Sequence, residues 1–303
     1  MGLSRPLADF AAEVGAEGPV AVVGGRTQWD VGGPVAPDAR LVSAPAGVVD
    51  HQPADMTVRV GAGTTVAELT EALAAAGQFV PLDPAQPGRA TVGGVLSVGH
   101  SGLRRLRYGP VRDTLLEARY VSAAGRLVKA GGPVVKNVSG FDLCRLLVGA
   151  LGTLGLLAEV VLRVQPVPAA RRWLRGRADP DVVLARLYRP SSVLWDGDSV
   201  WVLVEGHPAD VAELAGRLAG FAEVDGPPPL PAGGRLSVAP TDLNRFGNER
   251  QAGTFLAEVG VGTVHLHDKV TPPSPEPSVL DLNHRVRAAF DPDHRFNPGR
   301  RVA

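Results

Sequence analysis

The stretch VVKNVSGFDLCRL, residues 134–146, and the run GALGTLGLLAEVVLRV behind it, residues 149–164, decide how this chain reads. Valines lead into Lys136, Asn137, Ser139 and Gly140. Phe141 and Asp142 then open a helix-like apolar run. The second piece passes from spaced glycines (Gly149, Gly152, Gly155) into a nearly unbroken apolar strand. A polar, glycine-bearing turn set against a buried helix and strand reads as chain lying beside a bound dinucleotide. Lys136 and Asp142 can equally pair with each other or with neighbours.

Working outward, LLAEVVLRVQPVP forms a strand that ends at a proline-marked boundary near residue 168. Upstream, VRDTLLEARYVSAAGRLVKAGG reads as a hairpin with SAAGR as its turn. TVAELTEALAAAGQFVP is the clearest helix. Thr64 or Thr65 caps it, Glu68 supplies the capping-box acid, Val66, Leu69 and Leu73 form its apolar stripe, and Gly77 ends it. LADFAAEVGAEG is a helix closed by glycine, and PVAVVGG is a buried strand running into a glycine turn. Downstream of 168 the texture changes to helix, strand, helix, strand, with DSVWVLVEG and ADVAELAGRLAG as its surest pieces, which suits a small α+β unit. The proline-rich linker TPPSPEPS leads to a last helix, SVLDLNHRVRAAF, and to FDPDHRFNPGR, residues 290–300.

Of the 303 residues 45% are hydrophobic, enough for a sizeable core. The 31 basic and 31 acidic residues cancel, which argues against nucleic acid as the main partner. The basic runs GLRRLRYG (Arg104, Arg105, Arg107) and ARRWLRGR (Arg171, Arg172, Arg175, Arg177) read as solvated surface, with a docking patch as the sharper alternative. The lone cysteine, Cys144, excludes an intrachain disulfide and reads as a buried, inert thiol. The first residues lack the apolar run of a secretory signal, and no apolar run is long enough to span a bilayer. The expectation is a soluble, cytoplasmic protein, with peripheral attachment to the inner face of the membrane left open.

Two glycine-rich stretches are candidates for ligand binding. In VVGGRTQWDVGG, residues 22–33, a strand running into glycine can turn several amides toward one anion, and a missing Cβ lets a diphosphate come close. The order is not that of the G-x-G-x-x-G fingerprint, and no helix clearly follows. A tight turn between strands explains the same pair of glycines. PLDPAQPGRATVGGVLSVGHSG, residues 81–102, lets something large lie along the chain, or is a loop packed on protein. In GTVHLHD, His265 and His267 fall on one face of a strand with Asp268 nearby; two histidines specify no metal site, so a base role stands against an ordinary strand face.

Together these stretches resemble the flavoproteins with a vanillyl-alcohol-oxidase-type (PCMH-type) FAD-binding domain, and are most similar to the E-subunit branch of the bacterial glycolate oxidases. The resemblance covers residues 18–168 and FDPDHRFNPGR, and VKNVSGFDL is its most telling piece. It implies an α+β fold: a two-subdomain FAD-binding domain over 1–168, a small α+β cap for substrate or partner over 169–270, and a segment over 271–303 that returns to the first domain. Val23, Gly24, Gly25, Arg26 and Thr27 would hold the FAD pyrophosphate. Arg26 stands where the family's third glycine is usual, its guanidinium adding charge to the phosphates or pointing to solvent. Pro81, Thr91, Gly93, Gly94, Gly99, His100 and Ser101 would lie along the cofactor, and Gly155, Leu156 and Leu157 near the adenine end or the flavin. The family's covalent attachment uses a histidine in the pyrophosphate loop; none is there, so FAD is expected to be non-covalent.

The implied activity is that of an FAD-binding subunit of a glycolate oxidase or 2-hydroxy-acid dehydrogenase. Hydride would pass from glycolate or D-lactate to FAD, with His265 or His267 as base. A larger flavin subunit and an iron–sulfur subunit would take the electrons, because one cysteine cannot ligate a cluster. The short cap raises the alternative of a non-catalytic FAD-binding scaffold, and weighs against a self-sufficient oxidase using molecular oxygen.

Overall fold

In the computed structural model, which describes residues 4–133, 141–270 and 275–301, the chain forms two compact units. The first comprises Met1–Gly102, Pro110–Pro166 and Ser274–Ala303, the second Leu103–Gly109 and Val167–Pro273.

The first unit opens with helix α1 (Arg5–Val14), which buries Leu7, Phe10 and Val14 on one face and stops at Gly15. Strands β1 (Val20–Val22) and β2 (Arg40–Val42) pair in parallel. Then follow β3 (Val48–Gln52), β4 (Thr57–Gly61), helix α2 (Val66–Ala74), the short β5 (Gln78–Phe79) and helix α3 (Val92–Val98). Helix α4 (Arg105–Tyr108) belongs to the second unit. The first resumes with β6 (Leu115–Val121), β7 (Leu127–Gly131), α5 (Leu143–Leu147), β8 (Leu156–Arg163) and β9 (Gln165–Pro166), which pairs with β5. Its main sheet has the order β3-β4-β8-β6-β7 and is antiparallel throughout.

Local chemistry accounts for the clearest elements. Thr65 caps α2 in a full capping box: its Oγ accepts from the Glu68 amide, and its own amide donates to Glu68 Oε2 at 2.9 Å. Val66, Leu69 and Leu73 are the buried stripe, as the spacing predicts. Thr64 instead donates to the Gly61 carbonyl. The hairpin turn at 122–126 is closed by the Ser122 amide on the Arg126 carbonyl at 2.9 Å.

β8 is buried along seven of its eight residues because it lies in the middle of the sheet. Its pairing with β6 contains a bulge: Arg119 faces Glu159 while Tyr120 faces Leu157, leaving Ala158 extra. The bulge exchanges the faces. Leu156 and Ala158 join Leu7, Phe10 and Val14, whereas Leu157, Val160 and Leu162 join Leu69, Leu73 and Leu96. Glu159 and Glu117 meet Arg59 at 3.1 and 2.8 Å, with Arg119 and Lys129 completing the network.

Two details differ from the sequence reading. GGVLSV, read as part of a glycine-rich stretch or loop, lies in helix α3; Thr91 caps it, and Val92, Val95 and Leu96 are its buried face. The helix-like run after Asp142 is only the five-residue α5, because the chain leaves α-helix at Val148 to reach the glycines behind it. Asp142 caps α5 and pairs with Arg145. Lys136, Asn137, Ser139 and Gly140 lie outside the described residues.

The second unit contains β10 (Ala170–Gly176), α6 (Pro180–Arg186), β11 (Ser192–Trp195), β12 (Val200–Gly206), α7 (Pro208–Gly216), β13 (Ala222–Val224), β14 (Gly234–Ser237), α8 (Leu243–Asn248), β15 (Phe255–Glu258) and β16 (Thr263–Leu266). The seven strands form one antiparallel sheet, β13-β10-β12-β11-β15-β16-β14. Val193, Val202, Val204, Phe255 and Val264 pack against Val183, Val211, Leu214 and Leu243 of the helices. Of the basic run over β10 and the residue after it, Arg172 meets Glu223 at 3.8 Å, Arg175 lies over the Trp201 ring and Arg177 meets Asp198 at 3.0 Å.

Helix α9 (Pro277–Phe290) brings the chain back to the first unit. Beyond it, Phe296 is fully buried, and the Arg295 carbonyl and Asn297 amide bond Val20 of β1. Arg295 donates to five carbonyls, those of Val14, Gly15, Glu17, Gly18 and Ala123, so one guanidinium satisfies the end of α1 and the hairpin turn together. Among the described residues no helix is long and apolar enough to cross a membrane.

Candidate functional site

The chain leaves β1 at Val22 and turns at Gly24 and Gly25 against the segment that starts α3. The close approach is of protein on protein. A Cβ on Gly24 would stand 2.3 Å from Thr91 Oγ1, one on Gly25 1.7 Å from the Arg89 carbonyl oxygen, and one on Gly93 2.8 Å from Ala62 Cβ. Thr91 Oγ1 also accepts from the Gly94 amide at 3.2 Å. Both plain readings therefore hold in part, since these glycines serve the packing of two segments on each other.

What the two segments leave open is a groove. Its larger part, about 560 Å³, runs past Gly24, Gly25, Arg26, Thr27 and Gln28 to Trp29 and Val31, with Thr91, Gly94, Val98, Leu151, Asn297 and Arg300 opposite. A second part, about 350 Å³, shares Val22, Gly24, Thr91 and Gly94 and continues past Val23, Ala44, Ala62, Gly63, Gly93, Ser97 and Leu157. No aspartate or glutamate lines either part among the described residues, and two arginines line the larger.

Arg26 takes φ +55°, a left-handed backbone that costs an L residue about 1–2 kcal/mol and glycine almost nothing. Its guanidinium lies 5.3 Å from the centroid of Trp29, and that of Arg300 lies 4.7 Å from the same ring. Arg300 is buried and donates to the carbonyls of Val31 and Gly33. Burial pushes its pKa down, and the charge of Asp30 works against that.

Of the residues expected along a cofactor, Val23, Gly24, Gly25, Arg26, Thr27, Thr91, Gly93, Gly94 and Leu157 line the groove. Pro81, Gly99, His100, Ser101, Gly155 and Leu156 do not line it. Gly99 is the left-handed cap of α3, packed on Gly149, and His100 follows half-buried. Ser101 accepts from the Val111 amide at 3.0 Å. Gly155 sits against the Tyr120 ring, and Leu156 is in the core beside α1. Trp29, Leu151, Asn297 and Arg300 were not expected there. Trp29 lies within the quoted loop, and the other two polar residues within the terminal motif, so the signal was present without the partner it belongs to. Asn297 is held by its side-chain amide on the Gly152 carbonyl at 3.0 Å.

His265 and His267 lie in different surroundings. His265 is in β16, buried, with Nε2 2.9 Å from Glu258 Oε1, while Arg235 approaches the same oxygen at 3.8 Å. His267 is exposed, one residue beyond the end of the strand. Cys144 is buried, and burial, helped by the charge of Asp142, pushes its thiol up to about 11.

Comparison with known proteins agrees with this geometry. A family model described as FAD binding domain matches residues 7–131. The chain is similar to the glycolate oxidase subunit GlcE of Escherichia coli (strain K12), 33% identical over 216 residues, 69% of this chain and 61% of that protein. It is also similar to the glycolate oxidase subunit GlcD of Bacillus subtilis (strain 168), 35% identical over 40% of this chain and 26% of that one. A D-2-hydroxyglutarate dehydrogenase of Xanthomonas citri pv. viticola is 33% identical over 54% and 36%. The match thus spans about three fifths of the first relative's length and less of the others. Among solved structures, an alkyldihydroxyacetonephosphate synthase superposes with a TM-score of 0.67 at 15% identity, over 97% of this chain and 73% of that one, a likeness of fold alone. By fold, groove and sequence together, this chain is similar to FAD-binding proteins, and the match to an FAD binding domain falls on residues 7–131.

Proposed function

We propose that the chain is the FAD-binding subunit of a complex that oxidises glycolate or a related 2-hydroxy acid such as D-lactate. The observation that carries this is the groove: glycine-walled, free of carboxylates among the described residues and lined by two arginines, beside a stretch that matches an FAD binding domain. A dinucleotide diphosphate fits such a lining, because an anion there meets no like charge and finds the exposed main chain of Gly24 and Gly94. The loop from Val23 to Thr27 would hold the diphosphate, and Ala44, Ala62 and Leu157 would give the apolar wall. Bound FAD would supply the hydride acceptor. With no histidine in residues 22–33, the loop holds the cofactor by hydrogen bonds and charge, non-covalently.

The second unit serves as a small cap for substrate or partner, and the last segment returns to the FAD domain. His265, oriented by Glu258, takes the hydroxyl proton; His267 has no partner in that role. Electrons leave to a larger flavin subunit and an iron–sulfur subunit at the cytoplasmic face of the membrane. The names of the relatives as subunits support an assembly.

A second reading, an FAD-binding scaffold without chemistry of its own, is favoured by the burial of His265 and its bond to Glu258. Anaerobic addition of glycolate or D-lactate separates the two. Bleaching of the flavin in this chain supports the first. A flavin here that stays oxidised while the assembled complex turns over supports the second.

A further inference from the structure

We propose that Arg26, Trp29 and Arg300 form a cation–aromatic clamp for a nucleoside diphosphate group, which makes cofactor affinity depend on the charge of Arg26. This rests on the reading of the groove as the FAD site, and adds to it a side-chain contribution to binding.

Three observations converge. Both guanidinia approach one ring, 5.3 and 4.7 Å from its centroid, and all three residues line the larger part of the groove. Neither arginine has a carboxylate within ion-pair distance among the described residues. Two cations drawn to one aromatic ring repel each other, and an anion bound beside them relieves that repulsion. The hydrogen bonds of the Arg300 guanidinium to protein are made by Nη1 alone, so its Nε and Nη2 donors remain for an acceptor.

A further observation concerns the backbone. Arg26 holds a left-handed conformation that glycine adopts without strain, so nothing in the turn itself asks for a side chain there. What arginine adds over glycine is a charge at the rim of the groove. A diphosphate offers paired oxygens to such planar donors, and binding that neutralises them weakens with salt.

The test is titration of the full-length apo chain, followed by tryptophan fluorescence, with FAD, ADP and riboflavin at low and high salt. In the wild type, FAD and ADP bind with a salt-dependent affinity. Arg26→Gly weakens both about tenfold, the loss of one charge-assisted contact, and flattens the salt dependence. Riboflavin, which carries no phosphate, binds the two proteins alike. The thermal midpoint of Arg26→Gly stays within a few degrees of wild type, which separates lost binding from lost fold. Arg26→Lys restores part of the affinity. Wild-type affinity and salt slope in Arg26→Gly would overturn the clamp while leaving the FAD site standing. ADP binding that depends on Arg26, in a chain that fails to bind FAD, would keep the clamp and overturn the function proposed above. Absence of binding by both nucleotides overturns both.

Discussion

Thr91 Oγ1 occupies the position a side chain on Gly24 would need: the same oxygen that caps α3 through the Gly94 amide lies 2.3 Å from where a Gly24 Cβ would be. The turn after β1 and the start of α3 are thereby in direct contact beside the groove that both line.

Gly24→Ala is therefore expected to push Thr91 off the helix cap. The clash and the lost cap together cost about 2–3 kcal/mol. Thermal unfolding measures that loss, and FAD titration of the same protein is expected to show weakened binding. Unchanged stability would mean that the two segments separate more easily than their contacts indicate.

Replacing Arg295 with methionine keeps much of the volume and strips the carbonyls of Gly15, Glu17, Gly18 and Ala123 of their donor, while that of Val14 keeps Arg40. A cost of about 2–4 kcal/mol is expected from buried acceptors left unpaired. Urea denaturation of Arg295→Met measures it, and a loss below about 1 kcal/mol would show that water reaches these carbonyls.

The network of Arg59, Glu117, Glu159, Arg119 and Lys129 contributes to the response to acid. Burial pushes Glu117 up, but the hydrogen bonds and charges of Arg59 and Lys129 outweigh it and hold the carboxyl below its ordinary 4.5. The unfolded chain then binds more protons than the folded one, so this contribution is complete above about 4.5 and fades as the pH falls through the folded value. Glu117→Gln is expected to be less stable at neutral pH and to lose less on acidification. Denaturant midpoints measured between pH 3 and pH 7, at about one-unit steps, follow the difference; parallel curves for the two proteins would refute it.

Cys144 makes a covalent test of core integrity. With its thiol raised to about 11 and its sulfur 3.6 Å from the Ala130 carbonyl, almost none is thiolate at pH 8, and reagent has no access. Iodoacetamide is expected to leave the native chain unlabelled and to label one site after denaturation, as read by mass spectrometry.

His265 and His267 are two residues apart but are expected to behave differently. His265→Ala leaves Glu258 buried without its imidazole partner and should lower the thermal midpoint. His267→Ala, at an exposed position, should not. Equal effects would contradict the placement of either ring.

Much of this protein could be read from the order of its residues, and the rest had a common reason for being hidden. Helix α2 and the β6–β7 hairpin announce themselves because their signals are local: a cap three residues from its acid, a turn inside its own hairpin. The resemblance to FAD-binding domains was legible for the same reason, since the glycine loop and the run through β8 are contiguous stretches. Helix α3 was missed because its glycines outweighed a valid apolar period at Val92, Val95 and Leu96. The pairing of Arg26 with Arg300 around Trp29 joins residues more than 270 positions apart, and so does the hold of Arg295 on α1. Local sequence carries propensity and periodicity over a few residues. Which distant side chain fills the space beside a given backbone atom is decided only when the chain closes on itself.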